Sequence, residues 1–351
     1  MSEQNIRVVV VGCGTVTRQF HLKNLQQMTG VDVTAVVDID TDAAQRTAAQ
    51  FGVARHYTNY TDALDDADAV LVTTPTAHHA GVAIAALDAG KAVFIEKPLA
   101  LTMNEAHSIQ KRAEGKIAMI GFNQRWHPLV QAARTLLRQR SSDTHALNSQ
   151  LIGARMLSEP PSSWRFDPAQ GGGALFELGV HHFDLWRFLT GAEFESVSAY
   201  QHTIEGGEAA VAVSALMTGG IIAAGLFSHH SAARMQLDIY GTNGHIGING
   251  YRFDGLQVND IHAPVGGGAF WLKQWMGFAR ALPHAFESLP KGGDYVQSYR
   301  YELDHFFDCV RTGQPPQTTI EDGVRALQAV HAAIESINTQ RPIGVAAEFS
   351  K

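Results

Sequence analysis

The sequence predicts an α/β protein with an N-terminal doubly wound parallel sheet and a C-terminal α+β part whose sheet is open and largely antiparallel. Up to residue 122, apolar strand-like runs alternate with helical patterns. After a helical pattern at 128–140, strand-like stretches dominate, at 147–157, 195–204, 209–217, 220–228 and 235–240. The length of 351 residues suits two domains, 1–122 and 123–351, the second containing a C-terminal helix at about 321–338.

Composition and charge argue against several classes of function. The net charge is −7 and there is no run of lysines or arginines, so nucleic-acid binding is not expected. The two cysteines, Cys13 and Cys309, lie far apart, so we expect neither a disulfide framework nor a metal site. There is no apolar run of about 18 residues and no secretion signal pattern, so we expect a cytoplasmic protein that does not enter the membrane.

The first strand leads directly into a glycine turn. Residues 6–11 are apolar except for Arg7 and mostly β-branched, and residues 12–17 read Gly-Cys-Gly-Thr-Val-Thr before a helical pattern. This strand–turn–helix unit is typical of a Rossmann domain, in which a dinucleotide pyrophosphate approaches the backbone at the helix N-terminus. We therefore predict that the residues that bind the phosphates are Gly12, Gly14, Thr15 and Val16. Thr17 replaces the usual third small residue, and a tight turn without a ligand remains the alternative.

The second strand, 33–37, ends at Asp38. A carboxylate at this position accepts hydrogen bonds from the adenosine ribose hydroxyls and repels a 2′-phosphate, which favours NAD over NADP as the cofactor. The alternative is a solvated acidic turn, because Asp40 and Asp42 follow closely.

Polar residues follow two later strands of the same sheet. A strand at 68–73 precedes Thr74, Pro75 and His79, and a strand at 92–95 delivers Glu96 and Lys97. Parallel sheets bind ligands beyond the carboxyl ends of their strands, so all five residues are expected at the cofactor site.

A second motif combines glycines with a helix that carries two titratable residues. Gly171, Gly172 and Gly173 precede Glu177 and His181, which lie four residues apart and therefore share a helix face. A lysine and a histidine with a carboxylate to orient one of them form a proton-transfer set. The sequence therefore predicts that the Lys97 stretch and the 171–181 stretch meet in space.

Together these motifs resemble the Gfo/Idh/MocA oxidoreductases, which include glucose–fructose oxidoreductase and inositol dehydrogenases. The resemblance rests on the glycine turn, the Thr74-Pro75 and Glu96-Lys97-Pro98 elements and the glycine block with Glu177 and His181; it is weakest at about 250–295. It implies hydride transfer between the nicotinamide C4 and a secondary alcohol or hemiacetal carbon of a sugar, cyclitol or sugar derivative. His181 would be the base, Lys97 would donate to the reacting oxygen, and Glu177 would replace the aspartate usual in the family.

The resemblance also marks a substrate side. Trp164 and Arg165 look like the family's substrate loop, with Trp164 stacking on a sugar and Arg165 binding hydroxyls or a carboxylate; packing of the loop is the alternative. Arg125 is a further candidate for substrate binding. The adjacent histidines, such as His181 and His182, point in different directions, so metal binding is disfavoured.

The stretch 269–289 has the spacing of an amphipathic helix, with Trp271, Trp275 and Phe278 on one side. It is interpreted as a helix that packs on the core or on a partner subunit, with a mobile lid or a membrane-surface helix as alternatives. An open sheet needs a cover on its second face, so we expect a homodimer or homotetramer.

Three functions remain open from the sequence. The leading one is an NAD-dependent sugar or polyol dehydrogenase. The second is an NAD-dependent glycosidase or eliminase that oxidises its substrate transiently, without net redox change. The third is a non-catalytic sensor that binds NAD on the same fold.

Overall fold

The computed structural model describes residues 5–140, 144–154, 163–204, 207–263 and 266–345. Its chain divides into two compact units. The first comprises the described residues of Met1–Asn123 with Pro168–Gly171 and Tyr299–Leu327; the second comprises those of Gln124–Asp167, Gly172–Ser298 and Gln328–Lys351.

The first unit contains a six-stranded parallel sheet in the order β3-β2-β1-β4-β5-β6. Its strands are β1 (Ile6–Val11), β2 (Val31–Val37), β3 (Arg55–Tyr57), β4 (Ala69–Val72), β5 (Ala92–Glu96) and β6 (Ala118–Gly121). The central strands are buried on both faces, which explains their continuous apolar runs. The doubly wound sheet predicted from the sequence is confirmed. Its strand order reverses between β1 and β4, where such sheets bind ligands.

Four helices connect these strands: α1 (Leu22–Leu25), α2 (Thr41–Phe51), α3 (His79–Asp88) and α4 (Met103–Ala113). A π-helical turn at Thr17–His21 leads into α1. The helix expected at 60–66 is instead a 3-10 turn, Tyr60–Asp66, which Asn59 caps by accepting a hydrogen bond from the Thr61 N–H. Helix α4 was not predicted, although Thr102 and Glu105 form its capping box.

The second unit contains an eight-stranded sheet in the order β13-β12-β11-β7-β10-β9-β8-β14, antiparallel except for the β7–β10 pair. Its strands are β7 (Thr144–Ile152), β8 (Phe194–Ile204), β9 (Gly207–Met217), β10 (Ile221–Ser228), β11 (Arg234–Gly241), β12 (Gly244–Asn249), β13 (Leu256–Asn259) and β14 (Ile343–Gly344). The predicted sheet type is confirmed, whereas three of these strands, β12 to β14, were not predicted. Of the strand expected at 147–157, residues 155–157 lie outside the described residues.

The remaining helices are α5 (Pro128–Arg140), α6 (Val180–Thr190), α7 (Gly267–Ser288), α8 (Gly293–Thr312) and α9 (Ile320–Thr339). One face of the eight-stranded sheet packs on helices: the Trp186 Nε1–H of α6 donates to Ser149 Oγ at 3.1 Å. The other face exposes apolar side chains, among them Tyr200 (68% exposed) and Ile222 (58%). The sheet is therefore open on one side within this chain.

Helix α7 forms where an amphipathic helix was predicted. Phe278 packs against Phe253, and the Lys273 ammonium donates to the Val258 carbonyl oxygen at 2.8 Å. Trp271 and Trp275 point to solvent. None of the helices in the described ranges is long and apolar enough to span a membrane.

Candidate active site

The two glycines at the end of β1 have different surroundings. Gly12 has a φ of +104°, and a Cβ there would lie 2.6 Å from the Thr73 carbonyl oxygen, so only glycine lets the ends of β1 and β4 approach. Nothing lies within 4 Å of a Cβ placed on Gly14, which is exposed together with Thr15, while Val16 is half-buried. Gly12 therefore serves the fold, and the exposed backbone at Gly14 leaves room for a phosphate.

Thr17, the departure from the glycine fingerprint, is fully buried. Its hydroxyl donates to Thr73 Oγ1 at 2.8 Å, and the Thr73 hydroxyl lies 2.9 Å from the Gly12 carbonyl oxygen. A threonine fits at this position because the facing strand end supplies a hydroxyl partner. Burial raises the pKa of the neighbouring Cys13 to about 11, so this thiol is not poised to react.

Asp38 follows β2 and is held against the glycine turn. Its carboxylate accepts the Cys13 N–H at 2.8 Å and the Asp40 N–H at 3.0 Å. Asp40 has another role, since its carboxylate accepts the N–H groups of Asp42 and Ala43 and so caps α2. The carboxylate of Asp38 is fixed and half-buried beside the exposed backbone of the glycine turn. This arrangement fits a dinucleotide whose ribose lies at Asp38 and whose phosphates lie at the turn.

His79 connects the ends of two strands. Its buried ring places Nδ1 2.7 Å from the Pro98 carbonyl oxygen and Nε2 2.9 Å from the Thr74 carbonyl oxygen. Burial lowers the pKa of this imidazole. His79 therefore links the Thr74-Pro75 loop to the turn after β5 through its two ring nitrogens, and its side chain supports these predicted cofactor-binding segments.

Glu96 anchors the backbone of Lys97. Its carboxylate lies 2.6 Å from His21 Nε2 and accepts the Lys97 N–H at 3.2 Å. Burial opposes the charged form of Glu96, but the His21 hydrogen bond and nearby positive charge outweigh it and hold the pKa of Glu96 below its usual value. The Lys97 side chain, which is half-buried, therefore starts from a fixed backbone.

In the second unit, the glycine block lies under the loop that carries Trp164 and Arg165. The Gly172 N–H donates to the Asp167 carbonyl oxygen and the Gly173 N–H to that of Arg165, both at 3.0 Å. A Cβ on Gly172 would overlap the Arg165 carbonyl group. Glycine is needed at position 172 because two backbone segments are in contact there.

Glu177 pairs with this loop. Its buried carboxylate has Oε2 3.2 Å from Arg165 Nε and Oε1 3.8 Å from His229 Nε2. The Arg165 guanidinium also lies 4.5 Å from the centre of the Trp164 ring. The structure thus brings the predicted residues Trp164, Arg165 and Glu177 together, and the longer side chain of glutamate reaches the arginine of the loop.

Glu177 and His181 lie on one continuous helix, but through a π-helical turn at Leu175–Gly179 that continues into α6. Both side chains are 6% exposed. Glu208 at the start of β9, which sequence analysis missed, accepts the Ala174 N–H at the start of this helix at 2.5 Å. Burial raises the pKa of Glu208, and the charge of Glu177 adds to the effect. No sequence motif marks this residue.

Arg125, predicted to bind substrate, forms a buried ion pair with Asp184 of α6: Nε and Nη2 donate at 2.7 and 2.5 Å. The guanidinium also lies 4.9 Å from the centre of the Phe188 ring. In the structure Arg125 thus ties the segment before α5 to α6. Among the described residues, no three histidine, cysteine or acidic side chains are grouped as metal ligands.

The sheet order, the glycine turn and the fixed aspartate define a class, the Rossmann-type dinucleotide-binding proteins. The family model for the NAD-binding Rossmann fold of the Gfo/Idh/MocA oxidoreductases matches residues 6–124, and the model for their C-terminal alpha/beta domain matches residues 148–345. The chain therefore belongs to the Gfo/Idh/MocA oxidoreductase family, and its first domain is NAD-binding, as the sequence predicted.

Relatives match over most of the chain. The NAD(+)-dependent scyllo-inositol 2-dehydrogenase of Bacillus subtilis is 26% identical over 97% of this chain and 96% of its own. Levoglucosan dehydrogenase of Pseudarthrobacter phenanthrenivorans is 26% identical over 86% of each chain. The solved myo-inositol 2-dehydrogenase from Lactobacillus plantarum superposes with a TM-score of 0.81 at 23% identity, covering 98% of this chain and 100% of that one. The solved structure supports the fold.

Proposed function

We propose that this protein is an NAD-dependent dehydrogenase that oxidises a secondary alcohol or hemiacetal carbon of a cyclitol, sugar or sugar derivative. The observation that carries the proposal is the match to scyllo-inositol 2-dehydrogenase over nearly the whole length of both chains, which includes the C-terminal domain as well as the nucleotide-binding one. The fixed carboxylate of Asp38 supports NAD as the cofactor rather than NADP.

In this proposal the chain's own residues handle the proton. NAD, when bound, supplies the acceptor for the hydride. His181 removes the proton of the substrate hydroxyl group, and the Lys97 ammonium donates a hydrogen bond to the same oxygen and stabilises its developing negative charge. Glu177 acts through Arg165 by holding the Trp164 loop, whose indole offers an apolar surface to a sugar face.

The direct test incubates the protein with NAD and a panel of inositols, sugars and anhydrosugars and follows the absorbance of reduced nicotinamide. We expect reduction with at least one polyol and a higher kcat/KM for NAD than for NADP. Turnover of a glycoside without accumulation of reduced nicotinamide would favour the transient-oxidation enzyme. Tight NAD binding with no turnover of any compound would favour the non-catalytic sensor.

Two variants test the proposed roles. Lys97→Ala should lower kcat/KM by about 10²- to 10⁴-fold, the range typical of a residue that takes part in proton transfer. Glu177→Ala should lower kcat/KM less, because Glu177 contacts the arginine of the loop. Equal losses in the two variants would instead indicate a carboxylate that acts directly on the substrate.

We also propose that the protein is a cytoplasmic homodimer or homotetramer. The support for an oligomer is the apolar outer face of the eight-stranded sheet, where Tyr200, Leu216, Ile222 and Tyr240 are each at least 41% exposed. A second copy of the chain would bury this face.

A further inference from the structure

Three titratable side chains of the first unit are buried, and the proposed chemistry uses none of them directly. His21 comes from the π-helical turn before α1, Glu96 ends β5 and Glu302 lies on α8. His21 and Glu302 are 0% exposed and Glu96 is 9% exposed. This cluster of His21, Glu96 and Glu302 lies within the first unit.

Glu302 has an unusual environment for a carboxyl group. Within the described part of the chain, neither of its oxygens has a hydrogen-bond partner. Tyr299 and Phe306 lie about one turn on either side of Glu302 on α8, and their rings contact those of His21 and Phe94, respectively, each at a centroid distance of 5.7 Å. A carboxylate with no partner in such a place would be strongly disfavoured, whereas a neutral carboxylic acid is tolerated.

The charges around the cluster also favour a neutral Glu302. Glu96 accepts a hydrogen bond from the Lys97 N–H and lies 2.6 Å from His21 Nε2, and the positive charge of Lys97 also favours its ionised form. Glu96 is therefore the ionised carboxyl group. Burial raises the pKa of Glu302 well above its usual value, and the negative charge of Glu96 raises it further. One proton on Glu302 leaves a single carboxylate beside the imidazole.

We propose that Glu302 is a positioning residue that acts through Glu96. Glu302 remains protonated, so that His21 pairs with an ionised Glu96, and Glu96 in turn holds the backbone of Lys97. The inference deepens the proposed function, because it assigns a support to the lysine of that site. In the protein without substrate, the native fold keeps a proton on Glu302 that the unfolded chain has already lost at neutral pH.

The first experiment measures the stability of the full-length protein against pH for the wild type and Glu302→Gln, with NAD absent and with NAD present. An acid whose pKa is raised on folding destabilises the native state as pH rises from its unfolded value towards its folded value. The two melting temperatures should therefore be close near pH 5, and that of Glu302→Gln should exceed the wild type by an amount that grows up to pH 9. A difference between the two melting temperatures that stays constant from pH 5 to pH 9 would show that Glu302 is already ionised in the native state and would overturn the inference.

The matched control is Glu287→Gln, which removes the same charge from an exposed position on α7. It should not reproduce the pH-dependent gap. An equal gap in this control would mean that net charge, rather than the buried cluster, is responsible, and would contradict the proposal.

The second experiment follows kcat against pH with the polyol that the panel identifies. Ionisation of Glu302 next to Glu96 should lower wild-type kcat at alkaline pH, and Glu302→Gln should keep its kcat to higher pH. Glu302→Leu, which is also neutral at every pH, should keep its kcat to higher pH in the same way. Identical alkaline limbs for the wild type and Glu302→Gln would refute the positioning role. If no polyol is oxidised, the proposed function fails, while the stability experiment still decides the protonation of Glu302.

Discussion

At the residue scale, two aspartates at the end of β2 show how identical side chains acquire separate functions. Asp38 is bound by backbone N–H groups of the glycine turn and its own loop, whereas Asp40 caps α2. The sequence left open whether this was a cofactor-binding carboxylate or a solvated acidic turn. In the structure each aspartate has its own backbone partners, so replacing Asp38 and replacing Asp40 should have different effects.

Replacement of Asp38 by alanine should raise the KM for NAD by about 10- to 100-fold, since hydrogen bonds to a charged group contribute about 1.5–3 kcal/mol. The activity with NADP should rise relative to NAD because the repulsion of a 2′-phosphate is removed. Steady-state kinetics with both cofactors measures this. The control is Asp40→Ala, which should lower stability by about 1 kcal/mol and leave the cofactor preference unchanged. Similar kinetics for the two variants would exclude Asp38 as the ribose ligand.

His182 provides a pH-dependent prediction at the same scale. It is completely buried, its ring contacts Phe227, and neither nitrogen has a hydrogen-bond partner in the described residues. Burial lowers its pKa from 6.5 to about 3. Because the unfolded chain binds the proton more readily, wild-type stability should fall as pH drops below 6.5, by up to about 1.4 kcal/mol per pH unit.

The His182→Leu variant lacks this proton uptake. The loss of unfolding free energy between pH 7 and pH 5 should therefore be smaller in the variant than in the wild type, as measured by urea denaturation at each pH. His202, exposed on β8, provides a surface control for the replacement of a histidine by leucine. Parallel pH curves for the wild type and His182→Leu would show that the buried imidazole is not held neutral.

At the scale of elements, the two glycines between β1 and the first helix have different roles, one in folding and one in cofactor binding. A Cβ on Gly12 would contact the backbone of Thr73, while one on Gly14 would meet no protein atom within 4 Å. The fingerprint marks both glycines in the same way, and only the packing of the β4 end on the turn distinguishes them.

Gly12→Ala should therefore be strongly destabilised or fail to fold, because its φ of +104° and the contact with Thr73 both penalise a side chain. Gly14→Ala should keep the melting temperature of the wild type within a few degrees and bind NAD at least tenfold more weakly, because its methyl group occupies the approach to the backbone. Calorimetry and NAD titration measure the two effects. Unchanged NAD affinity in Gly14→Ala would contradict the proposed phosphate-binding role.

At the scale of the whole molecule, the outer face of the eight-stranded sheet carries an apolar row that runs across four strands. Leu216, Ile222 and Tyr240 occupy neighbouring positions across β9, β10 and β11 with Ala146 of β7 between the last two. Helix α7 presents a second apolar surface with Trp271 and Trp275. Either surface can be covered by another copy of the chain, and they can be tested separately.

We expect light scattering after size-exclusion chromatography to give the mass of a dimer or tetramer. Ile222→Lys should reduce the mass, because it places a charge in the centre of the sheet face, and its circular dichroism should remain that of the wild type. Trp275→Lys is the matched change on α7; a reduced mass in this variant alone would assign the contact to the helix. A monomeric wild type would refute the oligomer prediction.

The sequence by itself determined the doubly wound sheet, the NAD-binding class and the family. These depend on local signals: buried parallel strands require continuous apolar runs, and tight turns require glycine. Tertiary structure alone decided the partners of individual side chains. It pairs Arg125 with Asp184 and Glu177 with Arg165. It also places His79 between two carbonyl oxygens, and it shows that Glu208 is half-buried and Glu302 fully buried. The physical reason is that the charge and hydrogen bonding of a buried group depend on residues that are distant in sequence, and no local pattern records them.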